Sequence, residues 1–245
     1  MKQFRWWMTE RPERRQVYGS VSYAFLGFAL LPLLLMFLNL GFVLKAQEGL
    51  WVELTFHGIN FVALMIIFFP YLRESFENMR LFPKTFFKTT AIGTLAMLVV
   101  TAILFYAGVL FGNDLLSVGV LPITEIEFLR ISGNIVWDAP VLGTVAMVVM
   151  APFTISCLFY ATSFATICND RPLLAYGITA LMLAVPRIIN ALTFWAWDEQ
   201  LTLYLVQLPI HLIACRMYQR TDTVWSPITA LIVSNSVACV LIHFL

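Results

Sequence analysis

The sequence predicts an all-α fold, a polytopic transmembrane helical bundle of about seven spans. Three observations predict it. The chain of 245 residues is 60% hydrophobic and only 12% charged, against about 25% charged residues in soluble domains. Its mean hydropathy is +0.85. The apolar residues also come in long runs, and a hydrocarbon layer of ~30 Å needs about 20 of them per helix.

Read on that basis, the spans are 17–44, 51–72, 86–111, 140–167, 173–195, 201–218 and 225–245. The first run is much longer than the roughly 7–15 apolar residues of a signal-peptide core, so it is expected to remain attached as a span. The fourth contains Pro152, which predicts a kink or a break into two half-helices. The domain plan is a basic cytoplasmic segment 1–16, three helices in 17–111, an outer loop 112–139 and a four-helix unit 140–245. Residues 112–135 mix apolar side chains with Asp114, Glu125 and Glu127. That composition suits short amphipathic pieces at the interface or a cap on the bundle, with a disordered loop as the plain alternative.

The basic residues orient the bundle. With the N-terminus cytoplasmic, the inner side carries Lys2, Arg5, Arg11, Arg14, Arg15, Arg73, Arg80, Lys84, Lys88, Arg171, Arg216 and Arg220. The outer side carries only Lys45 and Arg130. The positive-inside rule therefore predicts a multi-pass protein of the cytoplasmic (inner) membrane, N-terminus in and C-terminus out. Cations segregated by loop form no nucleic-acid patch, and no nucleic-acid partner is expected. Cys157, Cys168, Cys215 and Cys239 fall in or beside apolar runs with no Cys-x-x-Cys pair. They read as buried free thiols rather than a disulfide or zinc framework.

Ionisable groups inside a bilayer are costly, so each marks a candidate site. Glu53, His57 and Asn60 share one face of the second span. A structural polar pair is the simpler reading of Glu53 and His57, because a third metal ligand is missing. Arg187 and Asn190 follow Pro186 in the fifth span, where a structural polar core and a ligand pocket are both open readings. His211 stands after Pro209 in the sixth, and a lone histidine in an apolar helix usually packs and hydrogen-bonds. Arg187, His211, Glu53 and His57 together define a possible polar cavity. There is no His-Glu-x-x-His, no Gly-x-Ser-x-Gly and no phosphate-binding glycine loop. "GVLFG" (Gly108 to Gly112) is one small-residue helix-packing motif, common by chance.

The last third of the chain carries a further pattern. "YQRTDTVWSPITALIVSNSVA", Tyr218 to Ala238, resembles the closing signature of the CPBP family, the CAAX-protease and bacteriocin-processing (Abi) membrane endopeptidases. That signature runs Tyr-x-Arg-Thr-Gly-Ser-x-Trp-x-Pro, then His-x-x-x-Asn. Tyr218, Arg220, Thr221, Trp225, Pro227 and Asn235 match it, while Asp222 replaces the glycine and Leu231 the histidine. Upstream, "APFTISCLFYA" resembles the family's Ala-Pro-x-x-Glu-Glu-x-x-x-Arg. Ile155 and Ser156 stand for the glutamates and Tyr160 for the arginine. Asn190 falls near the place of the family's middle histidine.

The resemblance implies a CAAX-protease-like core in helices four to seven. In the family a glutamate activates water while histidines and asparagine position it. With those carboxylates and the histidine replaced, it implies a non-catalytic scaffold with no catalytic residue, metal or cofactor. Ser156 has no adjacent base to make it a nucleophile. The expected partner is another membrane or cell-envelope protein, besides the lipid bilayer itself. Two other functions stay in view. One is an active intramembrane endopeptidase using non-standard residues such as Glu53 and His57 against Asn235. The other is a small-molecule or lipid-binding protein built around Pro152, Pro186 and Pro209.

Overall fold

A computed structural model describes residues 46–111, 140–165, 171–194 and 197–244, and every regular element among them is helical. The expected segment 1–16, the first span 17–44, the loop 112–139 and Cys168 lie outside the described residues. We number the helices α1 (Ala46–Leu81), α2 (Pro83–Phe111), α3 (from Pro140 to Phe164), α4 (Pro172–Phe194), α5 (Trp197–Thr221) and α6 (Trp225–Phe244). Three segments among the described residues are long and apolar enough to cross a membrane: Gly58–Leu81, Pro83–Leu104 and Val141–Ala161. Pro172–Ala184, within α4, is a further apolar stretch.

The α1–α2 boundary follows from Pro83. A proline disfavours helical geometry in the residue before it and suits the first position of a new helix. The chain accordingly bends at Phe82 and resumes at once, with the Phe86 N–H donating to the Phe82 carbonyl at 3.0 Å. On α1, Leu64, Phe68, Leu72 and Ser75 are buried at spacings of one helical turn, whereas Val62, Ile66, Phe69 and Phe76 point outward. On α2 the inward row is Phe86, Thr90, Met97 and Thr101, and the outer face carries Phe87, Ile92, Leu95, Val99 and Ile103. Helices apolar on both faces belong in lipid. Gly93 sits within the inward row of α2. A Cβ there would lie 2.2 Å from the Met217 Sδ, so the glycine lets α2 close against α5.

Helix α3 is the axle of the bundle. Residues 151–161 are buried without exception, and α1, α4, α5 and α6 all pack on it. It is not a uniform α-helix. Pro140–Val145 is α-helical, Ala146–Met150 is π-helical, Ala151–Ile155 is α-helical and Ser156–Phe164 is π-helical. Helical structure continues through Pro152 without a break into two half-helices. The chain widens ahead of it, an arrangement that accommodates a ring lacking an N–H.

The α5–α6 corner locks onto α1. Asp222 adopts φ 50°, a left-handed conformation that ends α5. Thr221 Oγ1 donates to the Met217 carbonyl at 2.8 Å. Ser75 Oγ accepts the Val224 N–H at 2.9 Å and lies 2.7 Å from Thr223 Oγ1, while the Trp225 indole donates to the Leu72 carbonyl at 3.0 Å. Tyr71 and Tyr218 pair through their hydroxyls at 2.7 Å, and Thr90 and Ser226 at 2.8 Å. Tyr176 on α4 donates to Gln219 on α5 at 3.1 Å. These ties gather one end of all five helices other than α3. That end carries Arg73, Arg80, Lys84, Lys88, Arg171, Arg216 and Arg220, every described Lys or Arg except Arg187.

Candidate functional site in the helix core

Two polar centres lie inside the bundle, both touching α3. The first begins with the backbone of α3. In an α-helix the Met147 carbonyl would accept from Ala151, but the Ala151 N–H donates to Ala146 instead. The next donor in the π register would be Pro152, which has none. A buried carbonyl left in that state costs free energy. Asn235 on α6 meets the need, its Nδ2 donating to the Met147 carbonyl at 2.8 Å. Asn235 is therefore committed to the backbone of α3. Its Oδ1, like Thr154 Oγ1 and Ser156 Oγ, is buried with no hydrogen-bond partner among the described residues.

The second centre joins α3, α4 and α5. Tyr160, in the second π segment, places its hydroxyl 2.5 Å from His211 Nδ1, shorter than an ordinary hydrogen bond. Which of the two groups donates follows from the tautomer of the ring. One turn earlier on α5, Gln207 Oε1 accepts from Arg187 Nη2 at 2.7 Å. Tyr160, His211, Gln207 and Arg187 are all buried, Arg187 to 5% exposure. A guanidinium deep in apolar protein must have polar contacts to persist, and the Gln207 amide oxygen supplies one. Among the described residues no buried side chain is a carboxylate. No group of three His, Cys, Asp or Glu side chains there converges on a metal position.

The residues singled out in the sequence divide clearly. Arg187, His211 and Tyr160 come into one polar layer. Ile155 and Leu231 belong to one continuous apolar core with Phe153, Phe159 and Tyr218. Ser156 is sealed at 0% exposure. Asn60 is buried on α1, with its Nδ2 unpartnered among the described residues. The backbones of Glu53 and His57 lie in α1 and that of Asn190 in α4, but their side chains lie outside those described. Cys157, Cys215 and Cys239 are buried and form no disulfide among the described residues. Gln207 escaped the sequence reading. Its signal was its position four residues before His211, across Pro209, on one face of α5.

The architecture is that of an all-helical membrane protein. No protein-family model, curated protein or solved structure matches the chain.

Proposed function

We propose that the chain is a non-catalytic membrane scaffold of the CAAX-protease-like fold that binds and regulates another membrane or cell-envelope protein. In this reading it is a multi-pass protein of the inner membrane with seven spans, a cytoplasmic N-terminus and an outer C-terminus. The observation that carries the proposal is the packing of Ile155 and Leu231 in one apolar core. These positions correspond to a glutamate and a histidine of the family signature. A hydrolytic water needs a base able to take its proton, and here Ile155 and Leu231 hold hydrocarbon and Ser156 a hydroxyl in those places. Asp222 adds support, since its left-handed backbone suits the glycine that the signature carries there. The gathering of basic residues at one end supports the orientation.

The test is reconstitution of the full chain in liposomes with a library of membrane-spanning and soluble peptides. Cleavage should equal that of empty liposomes, and photocrosslinkers on the exposed faces of α1 and α2 should yield one discrete protein adduct in native membranes. Cleavage that disappears on His211→Ala would instead establish a working endopeptidase with unusual residues.

A second reading is carried by the other polar centre. The Arg187–Gln207 and Tyr160–His211 pairs form a buried polar layer across three helices, whose donors and acceptors suit a small polar ligand. Ligand-dependent thermal stabilisation that is lost in Arg187→Met supports it over the scaffold.

A further inference from the structure

The turn between α1 and α2 combines two surface chemistries that a soluble partner does not need together. Both apolar segments Gly58–Leu81 and Pro83–Leu104 end at Phe82. Helices of that length traverse the ~30 Å hydrocarbon layer, so the turn stands at the level of the lipid headgroups. Arg80, Lys84 and Lys88 surround it, all exposed. Lys84 and Lys88 are one turn apart on α2 and so share a face. No acidic residue occurs between Glu77 and Asp114. Arg73, further along α1, differs in being paired with Glu77 at 3.5 Å.

Large apolar side chains are interleaved with these cations. Leu81, Phe82 and Phe87 are 62%, 53% and 68% exposed. A soluble phosphate or a nucleic acid would engage the cations and leave the three apolar groups in water. A zwitterionic lipid would cover the apolar groups and leave the positive charge without a counter-charge. An anionic phospholipid satisfies both, its phosphate against the cations and its acyl chains along the apolar side chains. We propose that the α1–α2 turn is a binding site for an anionic phospholipid, held at Arg80, Lys84 and Lys88 with Leu81, Phe82 and Phe87 against the acyl region. The inference is independent of any kinship with the endopeptidases.

The experiment is native mass spectrometry of the full chain in a zwitterionic detergent, titrated with phosphatidylglycerol or with phosphatidylcholine of the same acyl chains. Phosphatidylglycerol should bind more tightly. Each of the single variants Arg80→Gln, Lys84→Gln and Lys88→Gln should weaken it about fivefold, the contribution of one cation near an anionic surface, and leave phosphatidylcholine unchanged. Phe82→Ser with Phe87→Ser should weaken both lipids alike. Arg171→Gln with Arg216→Gln, at the same end of the bundle, should retain the phosphatidylglycerol preference. Equal affinity for the two lipids, an equal loss in the Arg171 and Arg216 variant, or displacement by equimolar inorganic phosphate would each overturn the proposal. Thermal unfolding of each variant in the same detergent identifies any that are misfolded, and the remaining single variants decide the matter.

Discussion

Asn235 donates its side-chain amide to the Met147 carbonyl at 2.8 Å, and this bond repairs a gap that Pro152 opens in another helix. The asparagine that a protease-like reading assigns to positioning water thus serves the backbone of α3. Replacing it with alanine leaves a buried acceptor without a donor. Asn235→Ala should destabilise the protein by about 1–3 kcal/mol, measured by thermal or denaturant unfolding in detergent. Pro152→Ala restores an N–H near the same carbonyl, so the double variant should lose less than the sum of the two single losses. Simple additivity in that cycle would mean that Asn235 and Pro152 act separately.

Tyr160 and His211 should be energetically coupled. Tyr160→Phe removes the hydroxyl and leaves the ring, and interhelical hydrogen bonds in membranes average about 0.6 kcal/mol with a maximum of about 1.7. The Nδ1 nitrogen chemical shift of His211 should move in Tyr160→Phe and stay fixed in Phe159→Leu. An unchanged shift in the first variant would show that the hydroxyl is not bonded to the ring.

Gly93 tests the closeness of α2 and α5. Gly93→Ala forces the Met217 side chain aside and should cost about 1–3 kcal/mol as overpacking. Because the obstruction is a flexible side chain rather than backbone, Met217→Ala in the same chain should recover much of that loss. Unfolding of the two single variants and the double variant reads the recovery directly.

Asp222 tests the corner. Its φ of 50° is open to glycine, tolerable for Asp and unfavourable for a β-branched residue. Asp222→Gly should retain stability to within about 1 kcal/mol, while Asp222→Val should lose a further 1–2 kcal/mol, roughly the cost of a left-handed residue with a bulky side chain. Equal losses for glycine and valine would place the role of Asp222 in its carboxylate instead of its backbone.

The helical, membrane-bound character was legible because it depends on composition and run length, both local properties. Pro152 announced an irregularity, but not its form. A ring without an N–H permits a kink, a break or a widening, and neighbouring helices select among them. The polar layer was half legible. Arg187 and His211 stand out as costly residues in apolar runs, yet neither reveals that Gln207 and Tyr160 are their partners. The Ser75–Thr223 and Tyr71–Tyr218 ties were invisible for the same reason. Hydroxyl groups 148 and 147 residues apart in sequence carry no joint signal until the helices are assembled. Helix α5 holds Gln207, His211, Arg216 and Gln219 among its apolar residues.

The enclosure of residues 151–161 also constrains the order of assembly. A ribosome delivers α3 before α4, α5 and α6, so three of the surfaces that enclose it do not yet exist when it leaves the translation machinery. Until they arrive, Thr154, Ser156 and Tyr160 face lipid or a chaperone-like insertase, and the Met147 carbonyl has no asparagine to meet it. Birth order thus leaves the innermost strut of the finished bundle uncovered in infancy, and α6, emerging after α4 and α5, brings the amide that completes it.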